Sequence, residues 1–224
     1  MEGRQTAKVY VDGLNLYRRR LASFPAYKWL NILQMCCSLL SDYEVIGVEY
    51  FTANLRPEIA TDNMQAIRQQ LYLRALATTS PALRIHHGNL RADQRIMPVL
   101  PREYLPNSSQ LKVQKVLKVE EKGSDVNLAA RMVADSISGI CDVAFLLSNG
   151  SDHVGQIQIL TQEFGRKVGL ILPLEALNHG SKNLRRNVPS DLQYLISNDL
   201  LGNSQFDEVV SDSRGSFHRP TDWA

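Results

Sequence analysis

Residues 142–148, "DVAFLLS", form a nearly continuous apolar run that leads into a short polar loop, "NGSDH", at residues 149–153. A strand with apolar side chains on both faces is typical of the buried centre of a parallel sheet. The next segment, "VGQIQILTQEFG" at residues 154–165, has helical apolar spacing and ends at a glycine. We therefore predict that residues 142–148 are an interior strand of an α/β fold and that the loop lies at the edge of its sheet.

The segments around this strand alternate between strand and helix patterns. Short β-rich or period-two segments predict strands at residues 8–13, 44–53, 83–90, 111–121 and 167–173. Helical spacing predicts further helices at residues 14–24, 27–41, 61–80, 124–139 and 189–202. This alternation predicts a three-layer α/β/α sandwich with a mainly parallel central sheet. The sequence contains no repeat or linker, so we predict a single domain over residues 1–224, with a core at about 7–196 and a polar C-terminal tail.

Composition and charge narrow the class of protein. Of the 224 residues, 44% are hydrophobic and 21% are charged, which is ordinary for a globular protein with a sizeable core. The net charge of +2 neither requires nor excludes binding to nucleic acid, so this question depends on how the charges are distributed along the chain. The three cysteines lack the spacing of a zinc site. No signal segment and no apolar run of about 18 residues is present, so we expect a cytoplasmic protein without a membrane span. The sequence leaves open whether the chain forms a homo-oligomer.

Three aspartates lie where strands end or helices begin. Asp12 ends the first predicted strand, Asp125 begins a helix, and Asp152 follows the strand at residues 142–148. Because ligands of open α/β sheets bind at the carboxyl ends of the strands, these side chains should converge at one edge. Clustered carboxylates repel one another unless a cation lies between them, and hard oxygen ligands suit Mg²⁺ or Mn²⁺. Such an ion can activate water and hold a phosphate oxygen, which predicts phosphodiester hydrolysis.

Each aspartate also has a simpler structural interpretation. Asp12 could shape the Asp-Gly turn, Asp125 could cap its helix, and Asp152 could cap the helix after the loop. The placement of all three at one edge of the sheet favours a shared site over three separate caps.

Three ordered motifs resemble those of NYN domains, a branch of the PIN-like nuclease superfamily. "VYVDGLNLY" at residues 9–17 is similar to the first motif, and "VEEKGSDVNLAARMVADS" at residues 119–136 is similar to the second. "CDVAFLLSNGSDHVGQIQIL" at residues 141–160 is similar to the third, in which a strand ends in a Ser-Asn-Asp-Ser-Asp loop. The resemblance is strongest to the bacterial LabA-like group and spans about residues 7–196.

The resemblance implies a metal-dependent ribonuclease that hydrolyses RNA at a cluster of aspartates. It implies metal ligands at Asp12, Asp125 and Asp152, with Asn15 as a further catalytic residue. The loop residues expected to contact the substrate are Ser148, Asn149, Ser151 and His153. The departure is Gly150, which stands where the family usually carries another aspartate. Because this removes a ligand and a negative charge together, we expect weak metal binding and slow cleavage.

A cationic strip along residues 84–118 predicts contact with a phosphate backbone. Its basic residues are Arg84, Arg91, Arg95, Arg102, Lys112, Lys115 and Lys118, against Asp93 and Glu103. We expect Lys112, Lys115 and Lys118 to bind RNA. The alternative is a solvated face that keeps the protein soluble.

Two functions of different classes therefore follow from the sequence. The first is a metal-dependent endoribonuclease, which retention of three aspartates favours. The second is an RNA-binding or protein-binding module on the same fold that is impaired in catalysis. The glycine at position 150, in place of the aspartate that the family usually carries, favours this second function.

Overall fold

The computed structural model describes residues 3–55, 62 and 64–223. Within these residues the strands are Thr6–Asp12 (β1), Glu44–Ala53 (β2), Leu83–Pro98 (β3), Val113–Lys122 (β4), Val143–Leu147 (β5), Lys167–Leu172 (β6), Gln193–Leu195 (β7), Val209–Asp212 (β8) and Gly215–His218 (β9). The helices are Gly13–Leu16 (α1), Ile32–Leu39 (α2), Gln65–Thr79 (α3), Ser124–Ile137 (α4), Val154–Gln158 (α5), Lys182–Arg186 (α6) and Asn198–Asn203 (α7). Helices α1 and α5 continue into wider, π-type turns over Tyr17–Leu21 and Ile159–Glu163. Among the helices of the described residues, none combines the length and apolar character that crossing a membrane requires.

Seven strands form the central sheet, in the order β4-β3-β2-β1-β5-β6-β7. All neighbouring pairs are parallel except β3 and β4, which are antiparallel. Strand β5 lies between β1 and β6, and all five of its residues are buried. The predictions of an α/β fold, of a mainly parallel sheet and of an interior strand at residues 142–148 are therefore confirmed.

Helices cover both faces of the sheet, and alternate residues of β1 show how. Val9 and Val11 belong to one buried cluster, which the strand shares with α2 and α3. Tyr10 belongs to a second cluster, which contains Leu128 and Met132 of α4. Because successive side chains of a strand point to opposite faces, β1 is buried between two helical layers. The arrangement is a three-layer α/β/α structure.

Strand β3 continues past residue 90, where the predicted strand ends. Its first part, residues 83–88, pairs with β2, whereas residues 89–98 pair with β4 alone. Strands β3 and β4 therefore form a two-stranded ribbon beyond the sheet, with exposed apolar side chains such as Ile96. A ribbon that is solvated on both faces has no strict alternation of apolar and polar residues, so the pattern could not show its full length.

The helix predicted at residues 189–202 is wrong. Gln193–Leu195 form β7 and pair with β6, and only Asn198–Asn203 are helical. The apolar spacing suits a helix, but the open edge of β6 supplies backbone partners from outside the segment. The helix predicted at residues 61–80 begins at Gln65, and its predicted first residues lie partly outside the described part of the chain.

The C-terminal tail adds to the core, which therefore continues past residue 196. Phe217 and Trp223 belong to the same buried cluster as Trp29. Arg74 of α3 donates hydrogen bonds of 2.7 and 2.6 Å to the carboxylate of Asp212 and so holds the β8–β9 hairpin against the domain. Polar composition alone gave no sign of these contacts, since scattered aromatic residues and ion pairs make them and no periodic apolar pattern links these residues.

Candidate functional site

Strand β1 brings Asp12 to the carboxyl edge of the sheet. Its Oδ1 accepts a hydrogen bond of 2.9 Å from the backbone N–H of Asn15 and caps α1, and its Oδ2 accepts one of 2.9 Å from Ser148. A glycine follows because a Cβ on Gly13 would lie 2.6 Å from the ring of Tyr50. The Asp-Gly pair therefore turns the chain and also fixes the carboxylate. The structural interpretation of Asp12 as a cap and its role in a site are both compatible with this geometry.

The loop after β5 brings His153, rather than Asp152, into the same place. Ser151–His153 form a 3₁₀ turn, in which neighbouring side chains point in different directions. His153 is 3% exposed and its Nδ1 lies 3.4 Å from Oε1 of Gln156, whereas Asp152 is exposed. His153, expected to contact substrate, therefore lies at the place expected for Asp152, whose role as a ligand stays a prediction. Ser151 is exposed, and its contact with substrate stays a prediction.

Helix α4 brings Asp125 to this edge in its first turn. The N-cap is Gly123, whose φ of 98° lies in the left-handed region that favours glycine, so Asp125 is not the cap. One donor atom each of Asp12, Asp125 and His153 lie within 4.8 Å of one another. The distance between Nε2 of His153 and Oδ2 of Asp12 is 3.7 Å, which is longer than a hydrogen bond. These three side chains, called the metal group below, could hold a metal ion.

The charges of the metal group are not balanced. Asp125 is exposed at the surface, but partial desolvation within the site raises its pKa above the usual value of 3.8. The negative charge of Asp12 raises this pKa further, His153 lowers it in part, and Asp152 makes a smaller contribution. Burial alone would lower the pKa of His153, but the carboxylates of Asp12 and Asp125 outweigh it and raise that pKa. Repulsion between the carboxylates thus acts as expected, although burial is the larger cause. A divalent cation at this position would relieve both effects.

A third carboxyl group, that of Glu121, lies beside the metal group and was not foreseen from the sequence. Strand β4 runs antiparallel to β3, so its end returns to the carboxyl edge of the sheet. The Oε1 of Glu121 is buried and has no hydrogen-bond partner among the described residues. Burial raises the pKa of Glu121, and the charges of Asp125 and Asp12 add to this. The signal that could have revealed Glu121 is its place at the end of a predicted strand, as for Asp12.

Three residues expected at the site hold it in place instead of facing a substrate. Ser148 is fully buried and uses its hydroxyl to bind Asp12. The side-chain amide of Asn149 is buried and makes hydrogen bonds of 2.7 and 3.1 Å to the backbone of residues 179–181. Asn15 accepts a hydrogen bond of 3.1 Å from the backbone N–H of Asn149 and so joins the loops after β1 and β5. Ser148 and Asn149 are buried and hydrogen-bonded within the protein and so support the site, and the contact of either residue with substrate stays a prediction.

The cationic strip lies on the β3–β4 ribbon, and part of its charge is already paired. Lys112 lies 2.7 Å from Glu103, and Lys118 lies 2.5 Å from Glu120. Lys115 is exposed and has no ion-pair partner among the described residues. Contact between the strip and RNA stays a prediction, and among the three lysines expected to bind RNA, Lys115 is the one whose charge is unpaired within the described residues.

Gly150 leaves room for the aspartate that the resemblance implies. Its φ of −75° and ψ of 122° are ordinary for any residue. A Cβ would lie 3.3 Å from Oγ of Ser148 and 3.8 Å from Nε2 of His153. A carboxylate at position 150 would therefore approach the metal group after a small displacement of Ser148.

Comparison with known proteins finds a solved structure with a similar fold but assigns the chain to no family. No family model matches the chain. The chain is similar to 6-hydroxy-3-succinoylpyridine 3-monooxygenase HspA of Pseudomonas putida, with 26% identity over 198 residues. The match covers 78% of this chain and 61% of that relative, so the chain spans less than two thirds of the relative's length. In structure it is similar to VPA0982, a protein of unknown function from Vibrio parahaemolyticus, with a TM-score of 0.51, 14% identity and coverage of 89% of this chain and 98% of that one.

Proposed function

We propose that the chain is a ribonuclease of the NYN type, which hydrolyses RNA with a divalent ion held by Asp12, Asp125 and His153. The observation that carries this proposal is the convergence of three donor atoms within 4.8 Å at the carboxyl edge of a parallel sheet. The three motifs that resemble NYN domains supply the substrate class. The unbalanced charge of the metal group supports a cation rather than a purely structural role.

The donor set favours Mn²⁺ over Mg²⁺. Two carboxylates suit either ion, since both prefer oxygen ligands. The imidazole of His153 adds a nitrogen ligand, which Mn²⁺ accepts more readily. We therefore propose Mn²⁺ as the ion that supports the highest activity.

The residues of the chain position the ligands and the loop. A bound divalent ion would supply Lewis acidity that lowers the pKa of water and stabilises charge on a phosphate oxygen. Asn15 and Ser148 hold the two oxygens of Asp12 by hydrogen bonds. Gln156 lies next to Nδ1 of His153, which leaves Nε2 directed at Asp12. Asp152, at the rim, is placed to contact water or substrate rather than the ion.

Cleavage of a single-stranded RNA in Mn²⁺ and in chelator tests this proposal. We expect Asp12→Asn and His153→Ala to lose about 100-fold or more of the rate, because each loses a ligand. Asp152→Asn should lose much less, since Asp152 lies outside the metal group. Asp199→Asn, an exposed aspartate in α7, is the matched control and should cleave at the parent rate.

The same assay separates the proposal from its alternatives. If Asp12→Asn cleaves as fast as the parent, the activity does not come from this site. If the parent binds RNA and does not cleave it in Mn²⁺, the chain is the binding module that Gly150 favours. Loss of rate on Asp152→Asn without loss on His153→Ala would restore Asp152 as the ligand.

A second candidate function, oxygenation of an aromatic compound, is favoured by the similarity to HspA. Oxygen insertion needs O₂ and a two-electron reductant, so the test is consumption of O₂ with NADH and a pyridine carboxylate. Consumption no faster than that of heat-denatured protein would remove this candidate.

A further inference from the structure

A cavity of about 320 Å³ adjoins the metal group. It lies on the side of the sheet that α2 and α3 cover, and part of its wall comes from the carboxyl edge of the sheet. Gly13, directly after Asp12, and Glu121 both line it. A volume of this size is typical of sites for small ligands and for single chemical groups of larger ones.

Aromatic side chains form much of the cavity wall. The rings that line it are those of Tyr17, Tyr50, Tyr72 and Trp223. Trp223 also packs against Tyr72, with 6.2 Å between the ring centroids at a steep angle, so these two rings are fixed relative to each other. Fixed aromatic faces and edges favour a planar apolar ring, which can stack or pack edge-on against them.

The charged side chains that line the cavity are the cations Lys28 and Arg68 and the carboxylates Asp62, Asp222 and Glu121, and within the described residues none of these carboxylates is paired with Lys28. Lys28 is half-buried, and its Nζ lies 5.8 Å from the ring centroid of Tyr17. Among the described residues no carboxylate is paired with Lys28, and burial together with the positive charge of Arg68 lowers the pKa of Lys28. Arg68, by contrast, is paired with Asp62 and, at 2.7 Å, with Asp222. A half-buried charge without a partner is unfavourable, and an anion bound at Lys28 would relieve this.

We propose that this cavity binds a planar aromatic ring that carries one acidic group. The ring would lie among the four aromatic side chains, and the acidic group would lie at Lys28. A nucleoside monophosphate and a pyridine carboxylate share this chemistry. A bound ring of either kind would be separated from the metal group only by the part of the cavity wall that Gly13 and Glu121 form. The proposal is independent of RNA hydrolysis, because contact with Lys28 requires no metal ion.

Isothermal titration calorimetry of the whole chain in EDTA tests the ligand chemistry. The probes are AMP, UMP and pyridine-3-carboxylate. The comparison compounds are adenosine and pyridine, which have an aromatic ring without the acidic group, and ribose 5-phosphate, which has the acidic group without an aromatic ring. We expect each acid-bearing ring to bind at least about tenfold more tightly than either half. Tighter binding of the nucleotides would identify a nucleotide as the ligand, and tighter binding of the carboxylate would identify a small aromatic acid.

Two variants locate the binding in the cavity. Lys28→Gln removes the charge and should weaken binding about tenfold, the usual effect of one charge-assisted contact. Leu14→Trp places a large side chain in the cavity wall and should abolish binding. Lys182→Gln, an exposed lysine of α6 that does not line the cavity, should bind like the parent. Circular dichroism and thermal denaturation establish that each variant is folded.

A fluorescence titration adds an optical signature, because the chain contains only two tryptophans. Trp29 is fully buried, whereas Trp223 lines the cavity, so a bound ring should change the emission of the parent and have little effect on Trp223→Phe. Absence of binding by every acid-bearing ring would overturn the proposal, as would parent-like affinity in both Lys28→Gln and Leu14→Trp. Since binding is measured in EDTA and cleavage in Mn²⁺, a failure of one proposal is distinguishable from a failure of the other.

Discussion

Strand β1 and helix α4 meet through charged side chains at two places, and within the described residues the carboxylates are paired with a lysine at only one of them. Near the start of the strand, Lys8 lies 2.6 Å from Glu49 and 2.7 Å from Asp135, in a buried environment. At the end of the strand, Asp12 and Asp125 approach each other, and no lysine or arginine of the described residues is paired with either. The same strand and helix therefore hold a paired cluster, Lys8, Glu49 and Asp135, and the metal group.

The pKa values of the carboxyl groups follow this difference. Burial alone would raise the pKa of Glu49 and Asp135, but hydrogen bonds from His86 and Lys8 to Glu49, and from Lys8 to Asp135, outweigh burial and lower both. Burial raises the pKa of Asp125, and within the described residues His153 offsets this only in part. Removing the cation from a buried ion pair leaves an uncompensated charge and destabilises the fold, whereas carboxylates without a lysine or arginine partner can accept a cation from solution.

The largest effect should come from breaking the paired cluster. Lys8→Met leaves buried Glu49 and Asp135 with only His86 and Arg131 as cationic partners, which should lower the free energy of unfolding by about 3–5 kcal/mol. Urea denaturation at neutral pH measures this. Lys112→Met, which breaks an exposed ion pair with Glu103, is the matched control and should change little. Equal losses in the two variants would mean that the cluster does not stabilise the fold.

Removing a charge from the metal group should have the opposite consequence. Asp125→Asn should unfold no more easily than the parent without metal, because it removes a charge that burial and Asp12 disfavour. At Mn²⁺ concentrations ten times the dissociation constant, the parent should gain about 1.4 kcal/mol. The variant should gain far less, as thermal denaturation with and without Mn²⁺ would show. The same gain in both proteins would exclude Asp125 as a ligand.

Adding a carboxylate at position 150 should sharpen the contrast. Gly150→Asp places a further negative charge near His153 and should tighten Mn²⁺ binding about tenfold, which is about 1.4 kcal/mol. Any cleavage rate should rise with it. Gly155→Asp adds the same charge at an exposed position of α5 and serves as the control in a parallel metal titration. Parent-like affinity in Gly150→Asp would show that the three ligands present are the whole site.

The two places should also respond to pH with opposite sign. Glu49 and Asp135 have lowered pKa values in the folded state, so their contribution to stability is present above 4.5 and 3.8 and is lost as the pH falls through the folded values. Asp125 has a raised pKa, so its contribution is fully present below 3.8 and is lost as the pH rises through the folded value. The stability of the parent relative to Asp125→Asn, without metal, should therefore increase as the pH falls. A difference that does not vary between pH 7 and pH 4 would contradict the raised pKa.

The smallest effect should come from the ribbon, far from both places. Lys115→Gln should reduce the slope of log affinity for RNA against log salt by about one, since one phosphate contact is lost. Lys112→Gln, whose lysine is already paired with Glu103, should reduce it less. Filter binding over a range of salt concentrations measures both slopes. Identical slopes for the parent and Lys115→Gln would place the RNA elsewhere.

The fold could be predicted from the sequence where the residues of a segment themselves indicate whether that segment is buried. The segment at residues 142–148 is apolar on both faces, so its interior position could be read directly. Strand β7 could not, because Gln193–Leu195 become a strand only by pairing with β6. Lys8 and Asp135 are 127 positions apart, and no local pattern links them.

The site was predictable to the level of strand ends but not of side-chain direction. The rule that ligands meet at the carboxyl edge brought Asp12 and Asp125 together. The choice between Asp152 and its neighbour His153 depends on a single 3₁₀ turn, which rotates one side chain inward and the other outward. The rule also applies to Glu121, but no sequence pattern shows that β4 runs antiparallel to β3 and therefore ends at that edge.

Strand β4 is the outermost strand of the sheet on its side, so one row of its backbone groups has no partner within the described residues. Such edges can pair with other chains and seed aggregation, and lysines are a common protection against it. Lys115 and Lys118 stand on this strand beside the exposed apolar residues Leu117 and Val119. We therefore expect the cationic strip to oppose aggregation through this edge, whether or not RNA binds there. A variant that replaces Lys112, Lys115 and Lys118 together would lose colloidal stability along with charge, so its affinity for RNA should be compared at low protein concentration, after the monomer has been isolated.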